Sequence, residues 1–193
     1  MRADSNVEKL NTLRPVFDKP YGKVTAANSS QISDGCSWTI LASEDAVEKH
    51  GLSPIAEIKM LRWAGLDPTE MGLGPVHSIA KVLSESQLSM NDIEYWEINE
   101  AFAAQVLACN AAFGSDDYCK TELGLDGALG RIDESQLNIH GGGVACGHPV
   151  GMSGNRIVLH LARTLHMKGA KRGIASLCIG GGQGGAALIE AIS

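Results

Sequence analysis

The chain has 193 residues, 44% of them hydrophobic and 20% charged, with a net charge of -6 at neutral pH. Such a length and balance give one domain with a sizeable core and argue against a disordered chain. The acidic surplus offers no basic stripe for phosphates, which speaks against a nucleic-acid partner, and no apolar run nears the ~20 residues that a membrane span needs.

Residues 1–22 read as a linker or the tail of a preceding domain, with Arg14-Pro15-Val16-Phe17 as their one apolar island; residues 23–193 read as the domain proper. Lys23-Val24-Thr25-Ala26-Ala27 is β-prone and runs into a turn-rich loop from Asn28 to Gly35. Trp38-Thr39-Ile40-Leu41-Ala42 predicts a short buried strand, and Ser43 caps a helix running toward His50. Residues 55–64 predict a strand, and Pro75 is placed to start a helix over 77–84. A strand over 93–98 precedes a helix over 101–113 that is apolar on nearly every side, the pattern of a helix lying between layers. Residues 114–136 are a polar excursion with a small helix of its own. Ser153 or Asn155 then opens a helix whose stripe is Ile157, Val158, Leu161, Ala162 and Leu165. Strands over 174–179 and 186–192, joined by a glycine turn, should pair antiparallel. The sum is an α/β domain with a mixed sheet covered by helices.

The five cysteines, Cys36, Cys109, Cys119, Cys146 and Cys178, lack the spacing of a disulfide framework. Reduced thiols and a cytoplasmic setting follow, or an organellar one if a targeting segment lies on a preceding part. Three segments carry chemistry: Asn99-Glu100-Ala101-Phe102, Gly147-His148-Pro149 after the run Gly141-Gly142-Gly143, and Cys178-Ile179-Gly180-Gly181-Gly182. Taken singly each has a bland reading. Asparagine after a strand is usually a helix cap, a lone histidine is as often structural as catalytic, and a free cysteine is commonly a small buried hydrophobe. Gly180 to Gly185 formally contains a dinucleotide-binding glycine pattern, but the chain ends before the helix, strand and acidic residue that such a site requires. A hairpin turn, or backbone N–H groups open to an oxyanion, suits it better. Cys146, His148 and His140 raise a metal site, but neither the C-x-x-C nor the H-x-x-x-H pattern occurs, so no metal is expected.

Together, and in this order, the three segments resemble the C-terminal signatures of the thiolases, with Thr25–Gly35 and Met71-Gly72-Leu73-Gly74-Pro75 similar to two further thiolase segments. The likeness covers nearly the whole chain. It implies the thiolase C-terminal domain, without the N-terminal half that carries the nucleophilic cysteine, and the reaction 3-ketoacyl-CoA + CoA ⇌ acyl-CoA + acetyl-CoA. By resemblance, His148 activates that nucleophile and donates to the substrate oxygen, and Cys178 is the acid/base for the α-carbon. Asn99 holds a water in the first oxyanion hole, and the N–H of Gly180 is a donor of the second. Ser30, Met71 and Phe102 match positions lining the pantetheine and acyl channel. The implied partners are acyl-CoA and CoA as substrates, an N-terminal thiolase half and a homo-oligomer; no tightly bound cofactor is implied. Cys36-Ser37-Trp38 and Cys146 depart from the usual small or aliphatic residues. The long excursion after Phe113 leans toward a degradative 3-ketoacyl-CoA thiolase. The other reading is a non-catalytic CoA-ester binder or assembly partner of the same fold, against which stands the retention of Asn99, His148 and Cys178 together.

Overall fold

The computed structural model describes residues 4–192. Two short helices, α1 (Val7–Asn11) and α2 (Glu44–His50), precede the sheet-forming part. α2 starts where Ser43 Oγ accepts the N–H of Ala46 and stops at Gly51, whose φ of +59° closes the helix in the left-handed region. Then follow β1 (Ala56–Gly65), α3 (Gly74–Ser86), β2 (Tyr95–Ile98), α4 (Ala103–Phe113), α5 (Asp116–Leu123), α6 (Gly143–Cys146), α7 (Val150–Lys168), β3 (Arg172–Ile179) and β4 (Gln183–Ala191). The four strands form one mixed sheet in the order β1-β4-β3-β2. β4 is antiparallel to both neighbours, and β2 is parallel to β3.

Alternation along the central strands sends side chains to two faces, each with its own helix. Ile174, Ala186 and Leu188 join Trp96 and Ile98 on one face, where Val76, Ile79, Val82 and Leu83 of α3 cover them and Val106, Cys109 and Phe113 of α4 extend the cluster. Ala175, Ala187 and Ile189 point the other way, onto Ile157, Leu161 and Leu165 of α7. Alanines and glycines on the inner strands let both helices approach closely. Nowhere is this tighter than at α3, where Gly74 lies directly against Gly184: a Cβ on Gly184 would fall on the Gly74 backbone.

Several expectations need correction. Residues 38–42 are not a buried strand. Trp38 is 85% exposed and Ile40 91%, and no strand among the described residues pairs with them. Residues 23–27 are likewise irregular, since their backbone turns back to serve Asn28, whose Oδ1 accepts the N–H of Thr25. α7 begins at Val150, earlier than Ser153 or Asn155, because Pro149 stands as its N-cap. α4 is not enclosed on all sides: Leu107 is 64% exposed while Val106, Cys109 and Phe113 are buried. No helix among the described residues is long and apolar enough to cross a membrane.

The glycine contact yields a prediction. Gly184→Ala should push α3 off β4 and destabilise the fold by about 3 kcal/mol or more, the upper end of overpacking costs. Gly51→Ala, with nothing within 4 Å of the added carbon, meets only the left-handed backbone penalty and should cost about 1 kcal/mol. Paired denaturant titrations of the two variants test the ranking.

Candidate active site

The parallel pairing of β2 and β3 brings residues far apart in sequence to one end of the sheet. Ile98 lies opposite Ser176, and the N–H of Asn99 continues the ladder by donating to Ser176 O at 2.9 Å. Asn99 therefore leaves β2 beside β3, level with Leu177 and one residue short of Cys178 in the register. Cys178 itself lies opposite Gly184 near the β3–β4 hairpin. That hairpin turns through Gly181 and Gly182, with φ of +90° and +83°. The turn therefore fits the hairpin reading of these glycines. Gly180 has open space on the side where a Cβ would point, so its backbone is approachable.

His148 reaches the same place from the other side. Asn99 Nδ2 lies 3.3 Å from His148 Nε2, and Ser153 Oγ lies 2.6 Å from His148 Nδ1. The loop carrying His148 is fixed by Glu100, whose Oε2 accepts the N–H of Val144 at 3.1 Å and whose Oε1 accepts from Asn138 Nδ2. Gly142 and Gly143 are required there, because a Cβ on either would come within 2.7 Å of the Glu100 carboxylate or carbonyl. Gly147 ends α6 with φ of +84°, so Cys146 and His148 do not lie on one strand. Asn138 completes the frame: its Oδ1 accepts from Ile98 N–H and its Nδ2 donates to Ile98 O, so a side chain stands in for a strand neighbour.

Burial sets the electrostatics. It holds the His148 imidazolium below the ordinary histidine range, with Arg156 acting in the same direction, and it pushes the Cys178 thiol up. Both groups are thus uncharged at neutral pH. Asn99, only 2% exposed, has an amide oxygen with no protein partner, a point where a further donor can bind.

The positions matched to a substrate channel fall into two contacts. Ser30 N–H donates to Ala101 O at 2.9 Å and Ala103 N–H to Asn28 O, strapping the 28–30 loop against Phe102 at the start of α4. Met71 lies in a short 3₁₀ turn (Pro68–Leu73) next to Gly72, whose carbonyl accepts from Cys109 Sγ of α4. Ser30 and Phe102 are brought together, and the turn carrying Met71 is tied to the same helix through Gly72. Among the described residues no three His, Cys, Asp or Glu side chains converge as a metal site.

Sequence reasoning passed over Glu100, Asn138, Ser153 and a second polar cluster. The signals existed: a glutamate inside the Asn-Glu-Ala-Phe segment, and an asparagine before a glycine run, which adopts φ of +47°. In the cluster, Glu97 Oε1 lies 2.8 Å from His160 Nδ1, and His160 Nε2 lies 3.2 Å from His140 Nδ1. Burial raises the Glu97 carboxyl to about 8, helped by the nearby Glu100, and burial lowers His160. The pair is therefore neutral at pH 7, with the Glu97 hydroxyl donating to His160, rather than an ion pair. A folded pKa above the unfolded 4.5 means that the contribution of Glu97 is intact below pH 4.5 and lost progressively as pH rises from there through about 8. Glu97→Gln, which keeps the shape without the titration, should match the parent near pH 4 and exceed its stability by a few kcal/mol at pH 9. Urea midpoints at the two pH values check this; an unchanged gap between them would contradict the neutral-pair assignment.

Comparison with known proteins agrees with this geometry. Residues 52–191 match the thiolase C-terminal domain and residues 1–45 match the thiolase N-terminal domain. The chain is 43% identical over 189 residues to the mitochondrial 3-ketoacyl-CoA thiolase of Bos taurus, and 42% identical over 192 residues to the 3-ketoacyl-CoA thiolase of Marinobacter nauticus. It covers 98% and 100% of itself but only 43% and 46% of those relatives, so it spans less than half of their length. Among solved structures it superposes on the acetyl-CoA acetyltransferase of Bacillus anthracis with a TM-score of 0.84 and 43% identity, over 99% of this chain and 44% of that one. Human mitochondrial 3-ketoacyl-CoA thiolase in complex with CoA gives 0.81 and 40%, over 100% and 44%. With a family match over most of its residues and relatives above 40% identity across its full length, the chain belongs to the thiolase family.

Proposed function

We propose that this chain supplies the acid/base and oxyanion-binding half of a thiolase acting on 3-ketoacyl-CoA. The observation that carries the reading is the Asn99 Nδ2–His148 Nε2 contact of 3.3 Å at the end of the sheet to which β3 also delivers Cys178. In this reading residues 1–22 are the tail of a preceding domain, residues 23–193 the C-terminal domain, and a cysteine nucleophile comes from an N-terminal half. The joined halves form a cytoplasmic homo-oligomer with CoA as substrate and no tightly bound cofactor.

The chemistry follows from the charge states. A thiol at its ordinary pKa is only a few per cent thiolate at neutral pH, so an attacking cysteine needs a base, and the neutral His148 Nε2 can take its proton. Attack on the 3-keto carbon gives a tetrahedral oxyanion; the protonated His148, together with a water held by Asn99, can donate to it. Collapse breaks the carbon–carbon bond and leaves the acetyl-CoA enolate. Cys178, kept as a thiol by burial, gives that carbon a proton while the Gly180 N–H faces the enolate oxygen. The resulting thiolate is a strong base and removes the proton of the incoming CoA thiol, which then takes the acyl group from the nucleophile. Ser30, Met71 and Phe102 border the pantetheine path in this reading, as the family resemblance implies.

Exposed apolar side chains support the missing contact. Ile32, Trp38, Ile40 and Leu41 are largely exposed, as are Leu61 and Trp63 on the edge strand β1. An apolar surface of this kind commonly marks an interface, and here the occupant proposed is the N-terminal half.

Alone, the chain should give no acetoacetyl-CoA thiolysis above background; mixed with a separately expressed N-terminal half, it should regain turnover. CoA binding without turnover after mixing would favour the non-catalytic CoA-ester binder. In the joined enzyme His148→Ala should slow acylation of the nucleophile by about 10²–10³, the cost of an oxyanion donor or more. Cys178→Ala should leave single-turnover acylation from an acyl-CoA partly intact yet abolish exchange of the acetyl-CoA α-protons. Equal acylation defects in the two variants would refute this division of roles.

A further inference from the structure

Beyond the residues matched by family resemblance, we infer that Ser153 is the positioning residue that fixes which nitrogen of His148 carries the proton; the inference rests on the proposed role of His148 as base. Ser153 is fully buried in the first turns of α7, with its Oγ 3.0 Å from Pro149 O and 2.6 Å from His148 Nδ1. A serine hydroxyl has a single proton to donate. Two arrangements use it differently. In one, Ser153 donates to Pro149 O and accepts from a protonated His148 Nδ1, leaving Nε2 as a lone pair that accepts from Asn99 Nδ2. In the other, Ser153 donates to Nδ1 and Nε2 carries the proton, which requires the Asn99 oxygen to face it.

The orientation of Asn99 decides between them. With Asn99 turned as in the first arrangement, its orphaned atom is one oxygen, Oδ1. Asn99 is placed with Nδ2 toward His148 Nε2, and only the first arrangement offers that donor an acceptor. In that arrangement the Ser153 hydroxyl joins the N–H groups of Met152 and Ser153 on Pro149 O at the start of α7. Ser153 therefore presents its lone pair to Nδ1–H and holds the Nε2 lone pair toward Asn99.

That arrangement has a chemical consequence. The Ser153 oxygen accepts from Nδ1–H whether His148 is neutral or protonated, so the ring keeps one orientation while Nε2 takes up and returns its proton. A carboxylate in the same place would do this too, but it would favour the charged ring. A neutral hydroxyl orients the ring without opposing the downward shift that burial and Arg156 impose.

The test is ¹⁵N-detected NMR of the histidine side chains in the 193-residue chain, with His148 assigned by the loss of its signals in His148→Ala. The wild type should show the Nδ1–H tautomer of His148 at neutral pH, and a predominantly Nε2–H ring overturns the inference outright. Ser153→Ala should mix the two tautomers, and Ser153→Thr should restore the single one; a tautomer unchanged in Ser153→Ala overturns it equally. Neither measurement involves substrate, so failure of the proposed reaction would leave these readings intact. In the joined enzyme, Ser153→Ala should lower kcat by roughly tenfold to 10²-fold, less than loss of a general base, which costs about 10²–10⁴. The Thr variant should recover most of that rate. A rate loss that Thr does not repair, with the tautomer unmoved, would mark Ser153 as a packing residue and refute the assignment. If Ser153→Ala fails to fold, the wild-type tautomer alone still decides.

Discussion

β2 is four residues long and lies at the edge of the sheet, so its parallel attachment to β3 is the contact on which the site depends. Four paired positions, extended by the Asn99 N–H to Ser176 O bond, carry a chain segment across nearly 80 residues of intervening sequence to the end of β3. A strand this short has little intrinsic stability. What holds it is burial on both faces: Trp96 and Ile98 beneath α3 and α4, and Glu97 beneath α7. Asn138 then closes the otherwise open edge at Ile98 with both atoms of its amide. A shift of β2 by one residue would exchange the two faces and withdraw Asn99 from His148 in a single step.

The glycines near the site mark places where polar atoms press on the backbone. Gly142 and Gly143 leave room for Glu100, whose carboxylate in turn receives the N–H of Val144. The Asn-Glu-Ala-Phe segment and the glycine run are thus two halves of one contact. Asn99 faces His148 from one end of it, and Glu100 anchors the loop bearing His148 from the other. This explains in physical terms why a glutamate with no part in proton transfer sits next to the asparagine.

Much of the architecture could be read from the sequence, because local signals there agree with the fold. Ser43 before an acidic turn, Pro75 at a helix start, alternation in β3 and β4 and the glycine turn between them each have a cause within a few residues. The errors fall where the cause is distant. Trp38 to Ala42 has every local mark of a strand, yet no partner strand lies within the described residues, so hydrophobicity and β-propensity find no ladder to join. α7 starts early because Pro149 closes the His148 loop, which pattern reading assigned to the loop alone. At the site, residue types in order were enough to single out Asn99, His148 and Cys178. Ser153, Glu100 and Asn138 were not legible in that way, since each matters through the atom it faces, and facing is a property of the folded backbone.

The electrostatic character of the site has a consequence for the proposed chemistry. The polar contacts of His148 are neutral groups, Asn99 and Ser153, and the one charge acting on it is Arg156, which disfavours a second positive charge. Cys178 is governed by burial, with only its own backbone opposing. Neither proton carrier has a counter-charge to rest on, so neither can remain ionised for long. In the proposed reaction an imidazolium formed at His148 gives up its proton readily, and a thiolate formed at Cys178 readily takes one from the incoming thiol. The first substrate oxyanion meets the protonated His148 and a water in that reaction, and the enolate oxygen meets the Gly180 N–H. Such groups act most effectively where water is excluded, and in the proposed reading it is the N-terminal half that excludes it.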